Sequence, residues 1–174
     1  MAVSKQFTAY LEQQLKEAVG QQITLKHASS VSGGSINKAF CLHTTAGDYM
    51  MKCNSKTAFP AMFTHEANGL TAIGNTKTIA VPQIILLNDF ENDSFLILEW
   101  VESVRPTAAA SVALGRQLAA MHRHTDNAFG FHENNYMGSI PQSNRKHNNW
   151  AAFFVQERLQ PMVQIAVDKK LLSK

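Results

Sequence analysis

Three short β-prone runs follow one another near the start of the chain, at residues 23–31, 38–44 and 49–54. Only tight connections separate them: one contains Gly33 and Gly34, and the other contains Gly47. Strands joined by such short turns run antiparallel, because a parallel pair needs a crossover of a dozen or more residues. The pattern therefore predicts a three-stranded antiparallel meander.

One helix is predicted before this meander and one after it. Residues 4–19 carry apolar side chains at helical spacing, with Ser4 as the expected N-cap and Gly20 just past the end. Pro60 suits the first turn of a second helix, over residues 60–73.

Two further strands are predicted at residues 81–87 and 95–101, on either side of a polar turn at residues 88–94. Residues 1–103 are thus predicted to form an N-terminal lobe of the α+β class. It has a five-stranded antiparallel sheet, with one helix inserted after the third strand.

From about residue 104 the pattern becomes helical. Residues 108–124 and 150–172 are predicted helices, and Pro161 is expected to bend or interrupt the second of them. The polar segment 127–149 is predicted to be a loop, and a loop of that length inside a compact domain is often functional. Residues 104–174 are therefore interpreted as the start of a helical lobe.

Composition excludes several classes of protein. The 174 residues are 45% apolar and 17% charged, with a net charge of +3, which indicates a globular chain without the basic face of a nucleic-acid binder. Neither a run of 18 apolar residues nor a signal-peptide pattern occurs, so we expect no membrane span. Cys41 and Cys53 lie in apolar strand runs and are expected to be free, buried thiols of a cytoplasmic protein.

The turn between the first two strands has the composition of an anion-binding loop. Gly33 and Gly34 tolerate backbone conformations that point several N–H groups at one anion, and Ser35 and Asn37 could add side-chain donors. The turn matches neither the P-loop pattern nor a full G-x-G-x-x-G, so a plain hairpin turn is the alternative.

Lys52 closes the apolar run Tyr49-Met50-Met51 in the third strand. Alternation places it on one face with Met50, while Tyr49 and Met51 point to the other face. A lysine on such a face needs a negative partner, which Glu66 on the next helix could supply; a lysine facing water from an edge strand is the alternative. A glycine turn, a strand lysine and a helix glutamate in this order predict a kinase-type phosphate site.

Longer motifs extend this pattern over nearly all of the chain, at residues 33–40, 52–54, 63–70, 81–82, 95–99, 114–122, 129–144 and 150–159. In these motifs the chain resembles the fructosamine kinase (ketosamine 3-kinase) family, relatives of aminoglycoside and choline kinases within the protein-kinase-like fold. The most specific segment is 129–144, which contains Phe-Gly-Phe and then Asn-Tyr-Met-Gly-Ser.

The resemblance implies phosphorylation of a sugar hydroxyl, the 3-hydroxyl by family, on a ketoamine-modified amine, with ATP and Mg²⁺ as cofactors. This reaction frees the amine and so repairs glycation. By position, Lys52 would hold the nucleotide phosphates and Glu66 would orient it. The other implied nucleotide contacts are Gly33, Gly34, Ser35, Asn37 and Met50 around the phosphates and the adenine, and Glu99 and Val101 at the hinge. Substrate contacts are expected at Asn135, Tyr136 and Gln142.

The catalytic loop of this family, His-Gly-Asp with an Asn five residues after the Asp, does not occur in these 174 residues, and neither does the later metal-binding Asp. His124-Thr125-Asp126 has the His-x-Asp form, but Phe131 stands where the Asn is required. We therefore expect no catalytic residue and no metal ligand in this chain. It is interpreted as the truncated, N-terminal portion of a kinase and as incompetent alone.

Three alternatives remain at the level of sequence. The chain could be a non-catalytic nucleotide-binding fragment or pseudokinase, a structural fragment without a ligand, or a relative of aminoglycoside and choline kinases with another hydroxyl acceptor. In each case the apolar faces Leu114-Leu118-Met121 and Trp150-Phe153-Phe154 could cause self-association if they were exposed.

Overall fold

The computed structural model describes residues 4–32 and 36–172, and the chain divides into two compact units, residues 1–121 and 122–174. The lobe boundary expected after residue 103 stays a prediction. The elements of the first unit are α1 (Lys5–Val19), β1 (Leu25–Ser30), β2 (Lys38–Thr44), β3 (Gly47–Ser55), α2 (Met62–Asn75), β4 (Ile84–Phe90), β5 (Asp93–Glu99) and α3 (Ala108–Met121).

The five strands form one sheet in the order β1-β2-β3-β5-β4, and every neighbouring pair is antiparallel. The predicted sheet, with one helix inserted after the third strand, is therefore confirmed. Because α2 lies between β3 and β4 in sequence while β5 pairs with β3, the helix-bearing connection leads to the outer edge of the sheet.

Helix α1 begins and ends where the sequence predicts. The Ser4 side chain accepts a hydrogen bond from the Phe7 N–H at 3.1 Å, and Gly20 adopts a left-handed conformation with φ of 77° just past the last turn. Leu11 and Leu15 are fully buried against the sheet. The helix thus covers the first face of the sheet, whose core also contains Phe40, Leu42, Met51, Cys53, Phe95 and Ile97.

The second face of the sheet packs against α2. Phe63 and Ala67 on the helix are buried against Leu96 and Leu98 on β5. Strand β3 serves both faces, because Met51 belongs to the first core whereas Met50 packs against the second. The predicted alternation along this strand is confirmed.

The two cysteines are free and buried, as predicted. Cys53 belongs to the core beneath α1, whereas Cys41 is paired across the strands with Met50 and therefore shares the α2 face. Because the two thiols lie on opposite faces of the sheet, they cannot approach each other.

Several predicted boundaries were wrong by a few residues. Residues 88–90 and 93–94, predicted as a turn, instead pair in the β4–β5 hairpin, and Glu91 takes a left-handed conformation at its tip. Strand β4 is an edge strand, which accommodates polar residues such as Asp89 without burying them. Helix α2 starts at Met62, so that Pro60 lies just before it rather than within its first turn.

Helix α3 differs from the other helices of this unit, because none of its side chains is buried. Leu114 and Leu118 are exposed, as is Val112 beside them. Within the described residues, no helix combines the length and the apolar character that a membrane span requires.

The second unit contains β6 (Asn135–Met137), β7 (Ile140–Gln142), α4 (Trp150–Phe154), a π-helical turn (Val155–Leu159) and α5 (Gln160–Asp168). The β6–β7 hairpin lies inside the segment predicted to be a loop, and its strands of three residues are too short to give an alternating pattern. Phe129 and His147 join the two ends of this segment through reciprocal backbone hydrogen bonds of 2.8 and 2.9 Å.

Gly130 permits this closure. Its φ is 129°, and a Cβ atom there would lie 2.6 Å from the Asn144 carbonyl oxygen. Only a residue without a side chain can bring the two backbone segments this close.

The predicted interruption near Pro161 takes the form of the π-helical turn immediately before it. Proline has no N–H, so the carbonyl of Glu157, four residues earlier, loses its usual helical donor. The Arg158 guanidinium replaces this donor, because its Nη1 lies 2.8 Å from the Glu157 carbonyl oxygen. Of the apolar face Trp150-Phe153-Phe154, Phe153 is buried within this unit, whereas Trp150 and Phe154 are exposed.

Candidate functional site

Lys52 and Glu66 form a direct ion pair on the α2 face of the sheet. The Lys52 Nζ donates to Glu66 Oε1 at 2.6 Å, and each side chain is 27% exposed. Lys52 comes from β3 in the middle of the sheet, between Ala39 on β2 and Leu96 on β5. Glu66 directly precedes Ala67 on α2, whose burial against the sheet fixes the position of the carboxylate.

The pair remains accessible to a ligand. An ammonium has three N–H donors, so that the bond to Glu66 does not exhaust what Lys52 can donate. A carboxylate at this distance limits the rotamers of the Lys52 side chain. Chemically, the arrangement is a positioned cation next to solvent, suited to an anion such as a phosphate.

An apolar surface lies beside this cation. Met50, two residues before Lys52, is paired with Leu98 on β5, and both side chains pack on the α2 side of the sheet. The predicted contact residue Met50 thus shares a face with Lys52. Leu98 is buried beneath α2, so that the partly buried Met50 is the apolar side chain that could meet a ligand bound beside Lys52.

The two expected hinge residues lie at the end of β5. The N–H of Glu99 donates to the Gln83 carbonyl at 2.8 Å, and its carboxylate accepts from the Gln83 N–H at 3.1 Å. Glu99 is paired with Tyr49 and therefore faces away from Lys52. Its N–H is used within the protein, whereas Val101 is exposed.

Of the expected phosphate loop, Gly33, Gly34 and Ser35 lie outside the described residues. Asn37, just after them, accepts a hydrogen bond from the Asn54 amide at 2.7 Å, and the same amide nitrogen lies 3.1 Å from the Met62 sulfur. Asn54 therefore ties the end of the turn to β3 and to the start of α2. Sequence reasoning missed this buried asparagine, although an amide in an apolar strand run is a signal that could have found it.

The three expected substrate residues lie in the β6–β7 hairpin. Asn135 and Gln142 face each other across the two strands, and Tyr136 is paired with Pro141. The side-chain oxygen of Asn135 is buried and has no hydrogen-bond partner among the described residues. The hairpin thus brings Asn135 and Gln142 together and presents an unpaired acceptor.

A second ionic cluster, centred on Glu157, was missed. Glu157 is 4% exposed, and its Oε1 lies 2.7 Å from Arg145 Nη2 and 2.8 Å from His147 Nε2. Hydrogen bonds from Ser143, from His147 and from Arg145 lower the pKa of Glu157 to about 2, against the opposing effect of burial.

Arg158 extends this cluster. It donates to the Ser143 carbonyl at 2.6 Å and to the side-chain oxygen of Asn144, and its guanidinium lies 4.6 Å from the centre of the Phe153 ring. Asn144 in turn donates to the Glu133 carbonyl at 2.9 Å. These contacts lock the polar segment onto the helices and have the character of a structural core rather than of a ligand site.

Asp126, the acid of the His-x-Asp sequence dismissed above, has a structural partner. The Lys146 Nζ lies 2.5 Å from its carboxylate, and the hydrogen bond from Lys146 lowers the pKa of Asp126, together with the backbone N–H of Asn127. Since Lys146 also contacts the Gly130 carbonyl at 3.3 Å, the pair braces the segment that begins at Phe129.

A family model described as fructosamine kinase matches residues 7–174 of this chain. The chain belongs to the fructosamine kinase family. This confirms the resemblance inferred from the sequence motifs, which lie within the matched range.

Curated relatives of the family carry kinase names. The chain is 37% identical over 150 residues to a protein of Synechocystis named as a ketoamine kinase, covering 86% of this chain and 50% of the relative. It is 36% identical over 158 residues to the chloroplastic protein-ribulosamine 3-kinase of Arabidopsis thaliana, covering 89% of this chain and 47% of the relative. The chain thus spans about half the length of the curated relatives it matches.

Solved structures support the fold. A crystal structure from Haemophilus somnus, described as a fructosamine-3-kinase, superposes with a TM-score of 0.86 at 24% identity, over 93% of this chain and 55% of that one. One from Thermobifida fusca gives a TM-score of 0.78 at 25% identity, over 94% and 56%. The predicted kinase-like architecture is therefore confirmed.

Proposed function

We propose that this chain is the nucleotide-holding part of a ketoamine kinase, which transfers a phosphoryl group from ATP to a sugar hydroxyl of a glycated amine. The observation that carries the proposal is the 2.6 Å contact between Lys52 and Glu66 in a chain of the fructosamine kinase family. The names of the relatives support the substrate class, a ketoamine or ribulosamine. The 3-hydroxyl as acceptor rests on the ribulosamine 3-kinase name.

Lys52 is assigned to the nucleotide phosphates. Its ammonium would donate to phosphate oxygens, and Glu66 would hold that ammonium in place. Met50 would provide an apolar surface for the adenine, while Asn37 would support the preceding glycine turn rather than contact the phosphates by its oxygen, which Asn54 occupies. Val101 is the better hinge candidate, because the N–H of Glu99 is used by Gln83.

Phosphoryl transfer also needs oxygen ligands for Mg²⁺ and a carboxylate beside the attacking hydroxyl. The residues described around Lys52 and Glu66 do not form such a set, and the catalytic-loop motif does not occur among the 174 residues. This observation favours a second candidate function, nucleotide binding without turnover by the chain as given.

Asn135, Tyr136 and Gln142 are assigned to the sugar-amine substrate. The buried, unpaired oxygen of Asn135 supports this assignment, since a sugar hydroxyl could satisfy it. Family membership is the other support, because segment 129–144 contains the most family-specific motif of the sequence.

Titration calorimetry of the 174-residue chain with ATP, with and without Mg²⁺, tests the proposal. We expect measurable ATP binding and a loss of at least about tenfold in affinity for Lys52→Met, since a hydrogen bond to a charged group contributes about 1.5–3 kcal/mol. Lys26→Met, at an exposed position on β1, is the matched control and should leave the affinity unchanged.

Equal affinities for the wild-type chain and Lys52→Met would refute the assignment of the cation. A parallel assay of ADP release with a fructosamine substrate separates the two candidate functions. ATP binding without ADP release fits the chain as a nucleotide-holding part, whereas turnover by this chain would contradict the expectation that its catalytic carboxylate is absent.

We also propose a cytoplasmic location and a tendency to self-associate. The two free buried thiols support the former, and the exposed side chains of Leu114, Leu118 and Trp150 support the latter. A sedimentation coefficient that does not change with protein concentration would contradict self-association.

A further inference from the structure

Three metal-ligating side chains converge at the β2–β3 hairpin, and the proposed kinase function does not use them. The Nδ1 of His43 lies 3.9 Å from the Cys41 sulfur and 3.0 Å from the Asp48 carboxylate. The potential ligand atoms of all three side chains lie within 4.8 Å of one another.

The hairpin itself creates this convergence. Cys41 and His43 are two residues apart on β2 and therefore share a face, and Asp48 is the cross-strand partner of His43. The turn between the strands is tightly bonded, since the Thr44 hydroxyl donates to the Gly47 carbonyl at 2.6 Å and accepts from the Ala46 N–H at 3.0 Å. The three side chains are thus held on a rigid element rather than on a loose loop.

The imidazole of His43 is oriented from two sides. Its Nε2 lies 3.1 Å from the Ser29 hydroxyl, and the ring of His27 stacks on it with centroids 4.2 Å apart. When Nε2 donates to Ser29, the lone pair of Nδ1 points at Cys41 and Asp48. Such a second hydrogen bond of a histidine is the usual device that selects the nitrogen for a metal.

We propose that Cys41, His43 and Asp48 form a binding site for a zinc-class divalent transition metal, with the fourth tetrahedral position open to water. Metal–ligand lengths of about 2.3 Å for sulfur and about 2.0–2.1 Å for nitrogen and oxygen place tetrahedral ligand atoms roughly 3.3–3.6 Å apart. The distances of 3.9 and 3.0 Å in the hairpin bracket this range, so that small side-chain movements suffice.

The mixed ligand set determines which metals fit. A thiolate and an imidazole select zinc or a neighbouring transition metal over Mg²⁺ and Ca²⁺, which prefer oxygen ligands. Access is available, because the side chains of His43 and Asp48 are 28% and 39% exposed while Cys41 is buried beneath them.

Binding has one evident cost. Burial, together with the charge of Asp48, raises the pKa of the Cys41 thiol, so a metal must displace a proton from sulfur. The same carboxylate attracts the cation that replaces this proton. We therefore expect a weaker site than one with two or more thiolates.

Titration of the reduced 174-residue chain with Co²⁺ tests the site. We expect a thiolate-to-cobalt charge-transfer band in the near ultraviolet that saturates at one equivalent and disappears when Zn²⁺ is added. Cys41→Ala should abolish this band. Asp48→Asn, an isosteric change of an exposed side chain at the start of β3, should lower the affinity at least about tenfold, as does the loss of other groups around a bound metal.

Cys53→Ala is the matched control, because Cys53 is the other buried cysteine, on the opposite face of the sheet, and its loss should leave the band intact. Absence of the band in the wild-type chain would overturn the proposal. A band that survives in Cys41→Ala, or an affinity that Asp48→Asn leaves unchanged, would overturn it as well.

Discussion

Glu66 and Glu157 are both helical carboxylates that accept hydrogen bonds from basic side chains. They differ in exposure to solvent. Glu66 contacts Lys52 at 2.6 Å, and both side chains are about a quarter exposed. Glu157 is almost wholly buried and is met by Arg145, His147 and Ser143. The acceptor capacity of Glu157 is therefore used inside the protein, whereas the Lys52–Glu66 pair still faces solvent.

This difference in exposure distinguishes an ion pair that stabilises the fold from one that is available to a ligand. Removing one partner of a buried ion pair leaves an uncompensated charge, whereas an exposed pair contributes little to stability. Glu157 is accordingly expected to matter for folding of the second unit. Lys52 and Glu66 are expected to matter for ligand binding and hardly at all for stability.

The largest effect is expected for Glu157→Ala. It removes a buried acceptor that receives hydrogen bonds from Arg145 and His147, and we expect the free energy of unfolding of the second unit to fall by about 3–5 kcal/mol, since each hydrogen bond to a charged group contributes about 1.5–3 kcal/mol. Urea unfolding followed by tryptophan fluorescence measures this change. In a Trp100→Phe background the remaining tryptophan, Trp150, lies in the second unit and reports on it alone.

Glu66→Ala is the matched control for this prediction. It removes a carboxylate from a pair that is about a quarter exposed, and we expect the free energy of unfolding of the first unit to change by less than about 1 kcal/mol. A Trp150→Phe background leaves Trp100, which lies in the first unit, as the reporter. Equal losses for the two variants would show that the distinction between the pairs is wrong.

Gly130→Ala should have the next largest effect. The new Cβ would lie 2.6 Å from a backbone oxygen at a φ of 129°, so the closure around the Glu157 cluster must shift. We expect the free energy of unfolding to fall by about 2 kcal/mol or more in the same unfolding assay.

Gly69→Ala is the control, because Gly69 lies in α2 with open space around it. This substitution should instead stabilise the helix by about 0.5–1 kcal/mol. If Gly130→Ala left the free energy of unfolding unchanged, the close approach of the two backbone segments at Gly130 would be contradicted.

Acid should remove the electrostatic part of the contribution of Glu157, because protonation removes the charge of this side chain but not its packing. The pKa of this carboxyl falls from 4.5 to about 2 on folding, so its contribution to stability is fully present above about pH 4.5 and is lost as the pH falls toward 2. The difference in urea midpoint between wild type and Glu157→Gln should therefore narrow between pH 4.5 and 2. A constant difference over this range would disprove the linkage.

Much of the first unit could be predicted from its sequence, because local rules determine it. Ser4 and Gly20 mark the ends of α1, and alternation along β3 separates Met51 from Lys52. The Lys52–Glu66 contact could also be predicted, since a cation on an apolar face needs an anion and the next helix offers one.

The rest could not be predicted, because it depends on contacts between segments that no local pattern links. Arg145 and Glu157 are twelve residues apart and meet only after the polar segment folds back at Gly130. The hydrogen bond between Asn54 and Asn37 forms only when β2 and β3 pair, and the Cys41–His43–Asp48 cluster depends on the register of the same hairpin. Polar residues in such positions look like solvated loop or strand residues until their partners are known.

The π-helical turn has a consequence for changes in chain length. It holds one residue more than an α-helical turn would, and it lies between Phe153 and α5. In a regular α-helix one extra residue would rotate everything after it by about 100°. The π-helical turn absorbs that residue, so that the side chains before and after it keep nearly the relation they have in an α-helix. Deleting one residue from this turn should therefore restore an α-helix and leave α5 on the same side, whereas inserting one should rotate α5 by about 100°. We expect this segment to accept the loss of one residue better than the gain of one.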